Sequence, residues 1–240
     1  MMSLDAKALN HQSLNQQIKA IDDNIKVSNV LGQRFIAAGV SDKTIDIYGT
    51  PGNALGAYLN GAIINVYGNA QDAVGDTMNS GQINVYGNIG DAPGYAMRGG
   101  KIFVKGDAGY RAGIHMKAYK QHLPVLTIGG KAGSFLGEYQ AGGIIIVLGL
   151  SDDDRDIVAN YPCTGMHGGK MYLRSRCEGI HFPHQVTAAP ADESDIEAIR
   201  GYVEEFCELF DYDVEQILNA DFTVITPSSK NPYQQMYVAN

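Results

Sequence analysis

The sequence predicts an all-β fold: a single right-handed parallel β-helix of about 19-residue coils, with a short N-terminal helix and a small α-helical annex at its C-terminal end. Three observations carry that expectation. Of 240 residues, 29 are glycine, and 25 of these lie between Gly49 and Gly169. The apolar residues that open short β-like runs are Ile45, Ile64, Ile83, Ile102, Leu126 and Ile145, at steps of 19, 19, 19, 24 and 19. Inside each run the apolar residues alternate (Ile45/Ile47, Ile64/Val66, Ile83/Val85, Ile102/Val104, Leu126/Ile128, Ile145/Val147), the period of a strand with one face inward. A unit this short buries no core alone and must stack on its neighbours.

Taken in order, residues 1–22 form the expected N-terminal cap. Leu9, Leu14, Ile18 and Ile21 fit a short helix within 4–21, laid over the open end of the stack. Such a cover is needed because a bare coil edge invites edge-to-edge pairing. The β-helix domain is expected over 23–187. Val30-Leu31-Gly32 and Phe35 to Gly39 resemble the second half of a unit and supply the first coil.

Two glycine rows then mark the corners. Gly49, Gly68, Gly87, Gly106, Gly130 and Gly149 stand four positions after each start. Gly56, Gly75, Gly94, Gly113 and Gly137 stand eleven after the first five. Corners need positive φ or a close approach of backbones, and glycine supplies both. Leu59, Met78, Met97 and Met116 share another offset. Tyr48, Tyr67 and Tyr86 share an outward one, as do Asn65 and Asn84. The tyrosines are expected to stack along the rod as stabilising contacts or, alternatively, to offer a docking surface.

A five-residue insertion over 115–125 interrupts the grid with His115, Lys117, Lys120 and His122. A basic cluster on an acidic chain reads as a contact or gating element. Gly165 to Gly169 repeats the second half of a unit once more, and Met171-Tyr172-Leu173 is the last expected strand.

The glycine grid ends before the annex, residues 188–240. Ser194 and Glu197 have capping-box spacing, and Ile196, Ile199, Val203, Phe206 and Phe210 line one helix face. Asp213 with Gln216 opens a second short helix through Leu218, and Phe222 to Ile225 reads as an isolated strand. Pro227 to Asn240 is expected as an extended arm. The annex is expected to pack back on the rod, with an arm carrying Pro232, Tyr233 and Tyr237 around a partner subunit as the alternative.

Chemistry is sparse by comparison. The net charge of −8 argues against nucleic acid or an anionic membrane as partner. No apolar run approaches the roughly 18 residues of a membrane span. No signal peptide is evident, and three unpatterned cysteines point to a cytoplasmic location. No G-x-G-x-x-G links a strand to a helix and no G-x-x-x-x-G-K-[ST] occurs, so no cofactor is expected in this chain. No G-x-S-x-G elbow is present, and Cys163, Cys177 and Cys207 have no neighbouring base, so no catalytic residue is expected. Cys163 with His167, and Cys177 with His181, are weak metal candidates at a spacing unlike zinc signatures. Asp152 to Asp154 reads as a solvated loop. The outward strand positions, mainly Tyr, Asn and Thr, lack the clustered acids of a polysaccharide-cleaving β-helix.

The grid and several strings together resemble the GXGXG domain, the β-helix at the C-terminus of the glutamate synthase large subunit. The strings are Gly32-Gln33-Arg34-Phe35-Ile36, Gly49-Thr50-Pro51-Gly52-Asn53, Gly68-Asn69-Ala70-Gln71-Asp72, Gly94 to Gly100, Gly113 to Lys117 and Leu136-Gly137-Glu138-Tyr139. A chain of this length is most like the separate GXGXG subunit of split, archaeal-type glutamate synthases. The resemblance implies a non-catalytic scaffold that positions a glutaminase subunit and an FMN/iron–sulfur subunit, with a part in walling the ammonia path. FMN and iron–sulfur clusters would then sit on those partners. Self-association is a further possibility, and the C subunit of formylmethanofuran dehydrogenase is the alternative relative.

Overall fold

The structure is a computed structural model and describes residues 1–228. The expected arm therefore lies almost wholly outside the described residues, with Pro232, Tyr233 and Tyr237. The chain runs β1 (Met2–Asp5), α1 (His11–Ala20), β2 (Ile25–Leu31), β3 (Thr44–Thr50), β4 (Asn60–Tyr67), β5 (Ser80–Val85), β6 (Gly100–Val104), β7 (Pro124–Ile128), β8 (Ala141–Val147), β9 (Gly168–Leu173), β10 (Val186–Pro190), α2 (Glu193–Phe210), α3 (Val214–Leu218) and β11 (Thr223–Pro227). The strands make one sheet in the order β1 to β9, then β11, then β10. All pairs from β1 through β9 are parallel. This is the parallel β-solenoid that the repeat predicts.

The starting residues stack in register. Ile25 pairs with Ile45, then Ile64, Ile83, Ile102, Leu126, Ile145 and Met171. All are fully buried, and the row two residues on (Val27, Ile47, Val66, Val85, Val104, Ile128, Val147, Leu173) is buried with them. Each such side chain contributes about 1.5–3 kcal/mol by leaving water. The 115–125 insertion falls outside this register, so the 24-residue step costs no pairing. A second, narrower ladder joins Ala70, Ile89, Ala108, Ala132 and Val158.

The ends depart from the sequence expectation in informative ways. The first coil begins at Ile25, ahead of Val30, with a bulge between Val27 and Val30 where Asn29 takes φ 56°. That stretch carries no glycine, which hid it. Ahead of it β1 adds one more parallel strand, so residues 1–22 are strand as well as helix. Asn10 caps α1 by accepting from the Ser13 amide at 2.9 Å, and the buried Leu14 and Ile18 join the core.

At the far end β11 is not isolated. It pairs antiparallel with β9 and with β10 and so closes the stack with reversed strands. Between them α2 returns across the outer face of the sheet. Its capping box is Asp192 with Asp195, two residues ahead of the expected Ser194 and Glu197. Ile199, Val203, Phe206 and Phe210 pack on Phe103, Ile146, Leu148 and Tyr172. Phe103, Ile146 and Leu148 depart from the expectation of mainly Tyr, Asn and Thr at outward positions, and the helix is what makes them tolerable. Lys101 to Glu205 (2.5 Å) and Lys170 to Asp195 (2.9 Å) pin its flanks.

Candidate functional site

The two glycine rows serve different ends. At Gly113, φ is +71°, and an added Cβ would run into the Ile145 side chain. The same corner is Ala37 in the first coil and Cys163 in the last, at φ 59° and 61°. At Gly106 the backbone is ordinary; here Asn88 Oδ1 lies where a Cβ would go and accepts from the Asp107 amide at 2.9 Å. Asn69 and Asp107 do likewise for the Asn88 and Lys131 amides. Part of the row from Gly49 to Gly149 is thus glycine to admit a polar ladder, not to turn the chain.

The tyrosines stack as rings. Tyr48 and Tyr67 lie 4.7 Å apart at 23°, and Tyr67 and Tyr86 4.9 Å apart at 32°. Lys26 sits 4.5 Å over Tyr48, and Phe210 meets Tyr86 edge-on at 5.0 Å. Burial, then Asp46 and the flanking tyrosines, push the Tyr67 hydroxyl pKa upward. Beside this row, Asn65 donates to Asp46 and Asn84 to Asn65, both at 2.8 Å. The candidate interface over Tyr48 and Tyr67 is therefore internally satisfied, and its last member is already engaged by the annex.

The weak metal candidates are not gathered into a site. Cys163 is fully buried, with Sγ 3.6 Å from Met171 Sδ, and burial pushes its thiol to about 12. A thiol so disposed is a neutral core side chain. His167 turns Nδ1 to the Gly165 carbonyl at 3.0 Å. Cys177, its thiol also raised by burial, lines a hollow of about 420 Å³ near β10 and β11, while His181 lines another with Tyr161. Among the described residues no three His, Cys, Asp or Glu converge as a metal site.

Asp153 does more than sit in solvent. Lys131 Nζ reaches it at 2.6 Å, and Arg155 bridges it to Asp107, at 2.6 and 2.5 Å. Burial alone would raise the Asp107 carboxyl, yet hydrogen bonds from Arg155, Ser151 and the Lys131 amide hold it below the usual range. This cluster latches the long connection after β8 onto the coils below.

The insertion lies flat on the rod. Tyr119 and His122 exchange backbone hydrogen bonds at 3.1 and 2.9 Å, closing a tight turn. Its sides rest on glycines, with His122 Cβ 2.7 Å from the Cβ position of Gly99 and the Ala118 amide 2.6 Å from that of Gly142. Lys117, Tyr119, Lys120 and Leu123 are left exposed.

Next to it runs a second aromatic system. His115 stacks on Tyr139 at 5.3 Å and 11°, and Tyr95 meets His115 edge-on at 6.0 Å. In the neighbouring row Arg111 lies 5.0 Å over Phe135, which stacks on Tyr161 at 5.3 Å. Arg111 Nε also donates to Glu138, the residue before Tyr139, at 2.9 Å. Sequence reasoning found only His115 of this group. Comparing residues at equal offsets outside the glycine rows would have shown Arg111 above Phe135 and His115 above Tyr139.

The model for the GXGXG motif matches residues 4–229, nearly the whole chain. The chain belongs to the GXGXG family. An uncharacterized protein of Methanocaldococcus jannaschii is 46% identical over 248 residues, covering 98% of this chain and 95% of its own length. The GXGXG match extends beyond the coils, so the annex strands β10 and β11 lie within the family pattern. No helix among the described residues is long and apolar enough to cross a membrane.

Proposed function

We propose that this GXGXG protein is a non-catalytic scaffold subunit of a glutamate synthase. It would position a glutaminase subunit and an FMN/iron–sulfur subunit and contribute to the wall of the ammonia path. Family membership along the whole chain is the observation that carries this reading. The residues supply physical support. Each cysteine is buried and its thiol pKa raised, the reverse of an activated nucleophile. Three cysteines divided between two hydrophobic clusters do not fit the four ligands of an iron–sulfur cluster. The N-termini of α1 and α2 are each capped by a side chain of their own, Asn10 on the Ser13 amide and Asp192 on the Asp195 amide. FMN and iron–sulfur clusters are accordingly assigned to the partners.

Co-expression with the glutaminase and FMN synthase subunits of the same organism tests the reading. A stable complex that forms glutamate from glutamine and 2-oxoglutarate, and loses glutamine-dependent turnover without this chain, is expected. Glutaminase turnover or stoichiometric flavin in the isolated chain would refute it.

A further inference from the structure

Five successive coils of the rod each hold two non-glycine residues in the left-handed region, four positions apart. They are Ala54 and Tyr58 after β3, Ala73 and Thr77 after β4, Ala92 and Ala96 after β5, Arg111 and His115 after β6, and Phe135 and Tyr139 after β7. Their φ values all fall between 49° and 63°, so the backbone asks the same of all five coils. Non-glycine residues are uncommon in this region, histidine less so than most, and bulky ones are strained. Ala92 and Ala96 show that small residues suffice. Arg111 and His115 are exposed, so burial does not demand their size either. Their bulk instead builds a continuous platform of Tyr95, Arg111, His115, Phe135, Tyr139 and Tyr161. Where the His115–Tyr139 stack reaches the next coil the chain has Gly165, whose Cβ position lies 2.5 Å from the Tyr139 ring.

Charge marks the same place. Between Tyr95 and Leu123 there are six Lys or Arg and one Asp, a local excess of five in a chain of net −8. Lys101 and Lys105 turn to the annex, toward Glu205 and the Tyr212 ring. Arg98, Lys117 and Lys120 stay exposed at the edge of the platform and form no ion pair among the described residues. Flat aromatic area with a cationic rim is the composition of a protein interface. Charge complementarity selects a carboxylate-rich partner, and three free cations on an acidic chain are too few for nucleic acid.

We infer that this turn face, with the 115–125 insertion as its rim, docks the carboxylate-rich surface of a partner protein. The inference rests on the scaffold reading, which makes that partner the FMN synthase or glutaminase subunit. The test measures binding of each subunit to the full chain by calorimetry at low and high salt. One variant combines Arg111→Ala, His115→Ala, Phe135→Ala and Tyr139→Thr, the residue types that neighbouring coils already carry. A second combines Lys117→Glu and Lys120→Glu on the exposed insertion, where folding is not at stake. Both should bind one subunit at least about tenfold more weakly, and wild-type binding should weaken with salt. A Tyr48→Ser, Tyr67→Ser chain should bind as wild type. Undiminished binding by both platform variants overturns the inference while leaving the scaffold reading intact. Wild-type binding to neither subunit overturns the scaffold reading and this partner with it. Tight binding of single-stranded RNA at the same face would overturn the protein assignment.

Discussion

The outward positions of β3–β5 and of β6–β9 share one register of one sheet, yet α2 touches the first half only at its edge, where Phe210 meets Tyr86, and roofs the second. Along the first half Asp46, Asn65 and Asn84 satisfy one another down the stack, and Tyr48, Tyr67 and Tyr86 cover one another ring on ring. Tyr48 and Tyr67 nonetheless stay exposed along it. Along the roofed half the same offsets read Phe103, Thr127, Ile146 and Tyr172, all fully buried in the folded chain. The tyrosine offset itself continues as Lys105 and then Gly129, where the ring of Phe206 comes within 2.6 Å of the Cβ position. The repeat thus fixes where outward side chains stand, while their chemistry decides whether the sheet needs a second layer. The roof is not free of cost, since Thr127 Oγ1 and the Tyr172 hydroxyl lie buried beneath it without hydrogen-bond partners among the described residues.

Cutting away the roof is the strongest way to break the comparison. Phe206→Ala should cost about 3–5 kcal/mol of annex docking, as for other buried aromatics. Limited proteolysis should then cut within α2 while hydrogen exchange in β3–β5 stays slow. Equal loss of protection along the whole rod would show that the halves are one cooperative unit. Gly129→Ala should act on the same layer more mildly, by about 1–3 kcal/mol, because both Phe206 and the Lys105 carbonyl must yield. Its melting profile should lose the annex first.

On the first half, Asn65→Ala strands the Asn84 amide, which is 2% exposed, and should cost about 1–2 kcal/mol in chemical denaturation. Here α2 should keep its protection, the reverse of the Phe206 result. The gentlest probe is alkali. Burial, with Asp213 and Glu204, raises the Cys207 thiol to about 11, and the hydrogen bond from Lys170 to Asp195 raises that ammonium. Both groups hold their protons longer folded than unfolded, so annex stability is level below about pH 9 and falls as pH rises toward 11. Near-ultraviolet circular dichroism should follow that loss, and Cys207→Ala should shift its onset upward toward the lysine range. A pH-independent signal across this window would contradict the cause.

Much of the fold was legible because glycine and isoleucine recur in a fixed phase. Ile45 through Ile145 set the register without reference to anything distant. The ends were harder, since β1 and β11 carry no glycine signal and form through pairing partners some twenty and fifty residues away. The helix cap was misplaced by two residues because Asp192 and Ser194 are both good caps, and the Asp195 amide and carboxylate chose between them. In the candidate site, His115 and the lysines of the insertion were visible as a break in the grid. Arg111, Phe135, Tyr139 and Tyr161 were not, because stacking across coils joins residues 24 to 26 apart that no local motif links.

The amino-acid sequence by itself determined a rod: its strand phase, its corners, its inward rows and the place of its interruption. All of these follow from a repeat in which each unit meets only its neighbours. Tertiary structure alone decided which corner glycines bend the chain and which make room for an asparagine. It also decided that half of one face lies beneath a helix, and that left-handed positions recurring along the rod became a platform in only three coils. Those outcomes depend on contacts between side chains that the repeat brings side by side but does not choose.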